Sequence, residues 1–116
     1  MTPTKEFLSG STNGKQIKIV ATATPGTLLH TAVTGTVNKD EIYLYVTNNH
    51  TAAVNLTIEW GGVASPDDLI QQSIPPKSGK YLIVPGECLN NALVTRAFAS
   101  VANVLCIGGW ANRIVP

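Results

Sequence analysis

Few residues in this chain could do chemistry, and their spacing suits none of the common reactions. The two histidines stand in different settings, His30 inside a strand-like run and His50 in a turn. Zinc sites start from local pairs such as Cys-x-x-Cys or His-x-x-x-His, and no such pair occurs here. What remains is a site drawn from His30, His50, Cys88 and Cys106 across the fold, which nothing in the spacing supports. Acyl transfer needs Ser or Cys beside His and a buried carboxylate, and no Gly-x-Ser-x-Gly elbow is present. Asp67 and Asp68 are adjacent, so an extended chain points them to opposite sides. They read as a solvated loop rather than an acid–base pair. The doublets Gly61-Gly62 and Gly108-Gly109 follow strand-like runs and read as bulges or bends, not as a phosphate cradle. The sequons Asn49-His50-Thr51 and Asn55-Leu56-Thr57 carry no weight without a secretory route. The expectation is a protein that is not an enzyme and uses no cofactor and no metal.

Aromatic residues are the remaining candidates, and they suit contact rather than catalysis. Tyr43 and Tyr45 alternate with Ile42, Leu44 and Val46. If those three face a core, the tyrosines form an aromatic pair on the outer face. Exposed Tyr buries area at low entropic cost and keeps a polar handle, which favours protein contacts. The same pair could stack on sugar rings, or lie covered by another part of the chain. Trp60 and Trp110 each adjoin a glycine doublet and are expected to plug the ends of the core. Phe7 and Leu8 are the apolar pair of an otherwise polar start.

Composition points the same way. The chain has 116 residues, enough for one domain. Only 13% are charged, against about 25% in an average soluble domain. Its surface must therefore be largely Thr, Asn, Ala, Ser and Gly, which costs little to desolvate. This suggests homo-oligomerisation or docking onto a larger body. The net charge is +1 and the basic residues are scattered, so no stripe is available for nucleic acid. No run approaches the ~18 apolar residues of a membrane span, and Met1-Thr2-Pro3-Thr4-Lys5-Glu6 opens no signal-like stretch. Two cysteines are too few for a disulfide scaffold. Both lie in apolar runs, so reduced and buried is the expected state, with a Cys88–Cys106 bridge as the alternative.

The elements that must position these residues are strands. Residues 1–14 read as an extended N-terminal arm and 15–116 as the domain. So polar an arm stays loose unless something holds it. A neighbouring subunit anchored by Phe7 and Leu8 would do so, as would packing back onto its own domain. Gln16–Ala21, Thr27–Thr34 and Glu41–Asn48 follow with a period of two. In Ala53–Trp60, Val54, Leu56, Ile58 and Trp60 point inward against Asn55, Thr57 and Glu59 outward. The turn signal Asn48-Asn49-His50 makes these last two strands a predicted hairpin. Ser65-Pro66-Asp67-Asp68 could open a helical turn, but a short strand over 69–74 is favoured. Lys80–Val84 precedes a break at Pro85-Gly86. Leu93–Ala99 and Asn103–Ile107 follow, the latter ending at Gly108-Gly109-Trp110, and Ala111–Val115 closes the chain. About seven or eight short strands with regular turn signals predict an all-β antiparallel sandwich or jelly-roll-like barrel.

Several of these runs have a shared cadence. They are Thr-Leu-Leu-His-Thr-Ala (27–32), Ile-Tyr-Leu-Tyr-Val-Thr-Asn (42–48), and the strand from Asn49 to Ile58. Ile-Pro-Pro-Lys-Ser-Gly (74–79), Val-Pro-Gly-Glu-Cys-Leu (84–89), and the small-residue stretch into Ile-Gly-Gly (99–109) complete the set. In this the chain resembles small β-sandwich virion proteins of tailed bacteriophages, over about three-quarters of its length. The likeness is one of rhythm, not of a signature tied to one activity, and no site residue transfers. It implies a structural role without cofactor, as a capsid decoration (cement) subunit bridging major capsid proteins on the outer shell after synthesis in the host cytoplasm. It also implies a homo-oligomer, trimer before dimer, with the arm reaching a neighbour. Head–tail or tail components and receptor-binding, lectin-like fibre modules are the other roles that such proteins serve.

Overall fold

Nine strands and no helix make up residues 2–77 and 79–116, the part described in a computed structural model of the chain. They are β1 (Thr2–Phe7), β2 (Ile17–Lys18), β3 (Thr27–Thr31), β4 (Lys39–Asn48), β5 (Val54–Trp60), β6 (Leu69–Ile74), β7 (Tyr81–Leu89), β8 (Val94–Ala99) and β9 (Leu105–Val115). Every pairing is antiparallel, in two sheets. The first has the order β1-β9-β4-β7, with β2 sharing the outer edge of β9; the second runs β3-β8-β5-β6. The partners nest: β2 with β9, β3 with β8, β4 with β7, β5 with β6. The chain is thus one long hairpin folded between β5 and β6, its paired limbs wrapped alternately onto two sheets. That is jelly-roll topology.

Alternation dictates how the sheets face each other. Along β4, Asp40, Ile42, Leu44, Val46 and Asn48 are buried while the residues between them are half-exposed. Leu56 and Ile58 of β5 meet them from the second sheet, with Leu29, Ala97, Leu105 and Ile107 completing the core. At about 25 cal/mol per Å², each buried Leu, Ile or Val among them contributes roughly 2 kcal/mol.

Tertiary pairing overrides several local expectations. β4 and β5 do not form a hairpin; they lie in opposite sheets. Both edges of β4 are occupied, by β7 and by β9, so the chain after Asn48 must cross the core instead of folding back. Asn48 holds that corner. Its Nδ2 donates to the carbonyls of Ala52 (3.1 Å) and Ile74 (2.9 Å), and its Oδ1 accepts from the His50 amide (2.9 Å). Pro85-Gly86 is not a break but an irregularity within β7, where the register to β4 shifts between Ile42 and Tyr43 and again between Leu44 and Tyr45. β9 likewise runs through Gly108-Gly109 to Val115. Gly109 has φ +151°, and a side chain there would overlap the Tyr43 carbonyl. Glu59 points to the outer face of the second sheet as expected but is fully buried, because the 24–26 loop covers it. Its carboxylate accepts from Thr24 Oγ1 and from the Gly26 amide, both at 2.6 Å.

Residues 2–8 pack back onto the domain, the second of the two arrangements expected for this segment. β1 pairs with β9 from Thr2↔Val115 to Phe7↔Trp110, and Leu8 is 1% exposed in the core. An edge strand with a core anchor offsets the ordering entropy that composition alone leaves uncompensated.

One end of the sandwich is closed by a buried ionic cluster. Asp40 (β4), fully buried, accepts from Arg113 Nε (2.9 Å) and Nη2 (3.0 Å) on β9 and from the Val33 amide (3.1 Å). It also bonds His30 Nε2 (2.8 Å), which comes across from β3 in the other sheet. His30 Nδ1 accepts from the Ser9 amide (3.0 Å), which assigns the ring proton to Nε2. Burial by itself would raise the Asp40 carboxyl, but the hydrogen bonds and charge of Arg113 and His30 outweigh it and hold the group below its ordinary 3.8. A depressed folded value means the stabilisation is complete above the unfolded pKa and fades as pH falls through the folded one. Asp40→Asn is expected to cost about 1–3 kcal/mol at pH 7, since it removes the charge to which Arg113 and His30 bond and leaves Arg113 only Glu6, at 3.5 Å. Urea unfolding should show the gap between variant and wild type narrowing steadily below pH 4, and a gap independent of pH would contradict the assignment.

Candidate functional site

The outer face of the first sheet is where side chains converge without serving the core. Odd residues of β4 and even residues of β9 stand on it, so register sets the neighbours: Tyr43 opposite Trp110, and Trp110 opposite Phe7. An aromatic row therefore crosses β4, β9 and β1. The Tyr43 ring stacks on Trp110 with centroids 4.7 Å apart and planes at 15°; Tyr45 stacks on it from the next position at 5.8 Å and 28°. Lys5 places its ammonium 5.4 Å from the centre of the indole, a cation–π contact of roughly 0.5–1 kcal/mol at an open site. Phe7 is 64% exposed and Leu82, opposite Tyr45 on β7, is 47% exposed.

Glycines make the close packing of this face feasible. A Cβ on Gly86 (φ +98°) would come within 2.7 Å of the Tyr43 ring. A polar rim surrounds the rings. Tyr43 Oη donates to Glu41 Oε1 (3.0 Å), and that acceptor, aided by partial desolvation and neighbouring negative charge, raises the phenol pKa above its usual value. Asn112 Nδ2 donates to the same oxygen (3.2 Å), and Thr47 Oγ1 donates to Gln16 Oε1 (2.9 Å).

Beside the row is an open hollow of about 850 Å³, with Gly109 and Trp110 on one side and Phe7, Ser11, Asn13 and Gly14 on the others. Its origin is topological. β1 covers the edge of β9 only up to Trp110, and β2 covers it at Ile107 and Cys106. On that edge, no strand among the described residues lies alongside the glycine doublet between them. The indole Nε1 of Trp110 is buried and lacks a hydrogen-bond partner.

The structure redistributes the residues singled out from sequence. Phe7, Tyr43 and Tyr45 do come together, but through Trp110, which was expected in the core. Tyr43 and Tyr45 are half-buried by that stacking rather than freely exposed. Leu8, the other expected anchor, is buried and has no surface to offer. Trp60 does pack against the core. Both cysteines are free; Cys106 is half-buried, but Cys88 is exposed, opposite Glu41 on this face, because its strand is the sheet's edge.

The residue types of a Ser-His-Asp triad do meet, at Ser9, His30 and Asp40, a grouping that no local spacing announces. Their geometry is structural. Ser9 reaches the imidazole with its backbone N–H, while its Oγ accepts from the Thr31 amide (2.7 Å), and His30 is 2% exposed. A signal for the cluster was present in phase: Asp40 continues the inward series of Ile42, Leu44 and Val46. Among the described residues no group of three or more His, Cys, Asp or Glu could hold a metal, and no helix is long and apolar enough to cross a membrane. No protein-family model matches the chain, and no curated protein or solved structure matches it.

The unequal exposure of the two thiols can be read directly. Cys88 is expected to react with a maleimide or aromatic disulfide reagent at least several-fold faster than Cys106 in the native protein. Mass analysis of partially labelled peptides measures the ratio, and equal rates would contradict this placement of β7.

Proposed function

We propose that the protein is a structural subunit of a phage virion, a decoration protein that lies on the outer capsid surface and docks on the major capsid protein. The observation that supports this most is the row Phe7–Trp110–Tyr43, with Tyr45 and Leu82 beside it, on a rigid sheet whose other face is the core. Interface centres are rich in Tyr and Trp and poor in charge. Rings already stacked lose little further freedom on binding. A standard partner footprint of about 800 Å² would take roughly an eighth of the 6104 Å² surface, which the face and its polar rim can supply. Repetition over a symmetric shell turns modest contacts into firm attachment. A homo-oligomer, trimer or dimer, belongs to the same reading, since a bridging subunit must engage more than one capsid protein.

The hollow beside Trp110 favours a second reading: a receptor-binding module of a tail fibre, in which a sugar ring stacks on the exposed aromatics and bonds to Asn13 or Ser11. A head–tail or tail component would use the same face with lower copy number.

Shells of the parent virion stripped of this protein provide the test. Wild-type chain should restore hundreds of copies per particle and protect Cys88 from labelling. The double variant Phe7→Ser/Leu82→Asp, altered only at exposed positions, should bind at least about tenfold more weakly. Undiminished occupancy by that variant would overturn the docking face. Specific glycan binding that is lost in Tyr43→Ala, with no shell binding, would replace the decoration reading by the receptor one.

A further inference from the structure

We infer that the chain forms a two-fold dimer in which β6 pairs with β6 of a second copy, edge to edge and antiparallel. Unpaired strand edges invite further strands, and proteins block them with proline, lysine or bulges. The other outer strands carry such blocks. β1 contains Pro3 and Lys5, and β2 is two residues long and ends in Lys18. β3 shifts register between Leu28 and His30, and β7 holds Pro85 and two register shifts. β6, Leu-Ile-Gln-Gln-Ser-Ile, has neither charge nor proline, and its register to β5 is unbroken from Leu69 to Ile74.

Hydrogen-bond parity shows what this edge presents. Gly61 donates to the Val94 carbonyl (3.1 Å) and Ser100 to the Asn55 carbonyl (2.9 Å), so odd-numbered residues of β5 bond towards β8. Even-numbered ones bond towards β6, as Trp60 does to the Asp68 carbonyl (2.7 Å). The N–H and C=O groups of Leu69, Gln71 and Ser73 consequently point away from β5. Two of them are met within the chain: Leu69 N–H donates to the Pro66 carbonyl (3.3 Å), and the Ser73 carbonyl accepts from Gln72 Nε2 (3.2 Å). Among the described residues, that leaves the N–H of Gln71 and Ser73 and the C=O of Leu69 and Gln71.

This remainder is self-complementary. With a two-fold axis at Gln71, each Gln71 N–H meets the other Gln71 carbonyl, and each Ser73 N–H meets the other copy's Leu69 carbonyl. The two groups already satisfied, Leu69 N–H and the Ser73 carbonyl, fall opposite each other, so none is left over. Such pairing consumes both β6 edges and closes, whereas pairing β6 with a different strand would be heterologous and could continue as a filament. It joins the two four-stranded sheets into one and leaves the aromatic face of each copy open. The inference stands on strand pairing, not on the virion reading, and its failure would leave that reading in place.

Sedimentation velocity of the full chain from low micromolar to millimolar concentration should show the mass rising from 12.2 kDa towards twice that value. Amide exchange should slow with concentration at Gln71 and Ser73, while Ile70 and Gln72, bonded to β5, are slow throughout. Gln71→Pro removes an outward N–H without touching the β5 ladder, and should be monomeric where wild type is dimeric. Gln71→Lys keeps the N–H but sets like charges opposite each other, and should weaken the dimer several-fold. A chain monomeric at every concentration, a dimer that survives both substitutions, or exchange at Gln71 that slows only when shells are added would each overturn the proposal.

Discussion

The buried carboxylate of Asp40 is the constraint on which the rest of this fold depends. Four donors converge on it from β3, β9 and the loop before β4. A charge in such a place is tolerated only when paired and fully hydrogen-bonded, so the segments that supply the donors have one allowed arrangement. His30 ties the second sheet to the first. Through its other nitrogen it holds Ser9, and with it the end of β1. Arg113 fixes the register of β9 and extends to Glu6 of β1 at 3.5 Å. The N-terminal residues are thereby held twice, by Leu8 in the core and by this cluster.

That anchoring has consequences on the far side of the sheet. β1 held against β9 sets Phe7 opposite Trp110, and β9 held against β4 sets Trp110 opposite Tyr43. The aromatic row is a product of register, and a slip of one residue in either pairing would turn it into the core. The hollow beside it has the same origin, because β1 and β2 share one edge of β9 and leave Gly108-Gly109 between them. Chain segments of low apolar content thus shape the most apolar part of the surface, by position and not by their own composition.

Much of the fold was legible in the order of residues. Period-two runs placed the strands and named their buried sides, and Ile42, Leu44 and Val46 face the core as their spacing requires. The hydrogen-bonded partner of each strand was not legible. β4 and β5 carry strong strand patterns and a turn between them, yet pairing is decided by which edges remain open once β7 and β9 have taken both sides of β4. Glycine and proline misled for a related reason: Gly86 and Gly109 look like stops in isolation, but serve as points where Tyr43 can approach the backbone closely.

By itself, then, the sequence determined the all-β class, the inward faces of its strands, a surface poor in charge, and the lack of any local constellation for catalysis or metal binding. These are properties of composition and of short-range spacing, which a strand carries wherever it is placed. Only the tertiary structure decided that residues 2–8 belong to the domain, that Trp110 lies on the outside joining Phe7 to Tyr43, and that His30, Asp40 and Arg113 share one buried cluster. Those contacts link residues far apart in the chain, 73 positions for Asp40 and Arg113 and more for Phe7 and Trp110. Side chains that meet only after two sheets have closed leave no periodic trace in the chain, because each satisfies its local pattern equally well in many other partnerships.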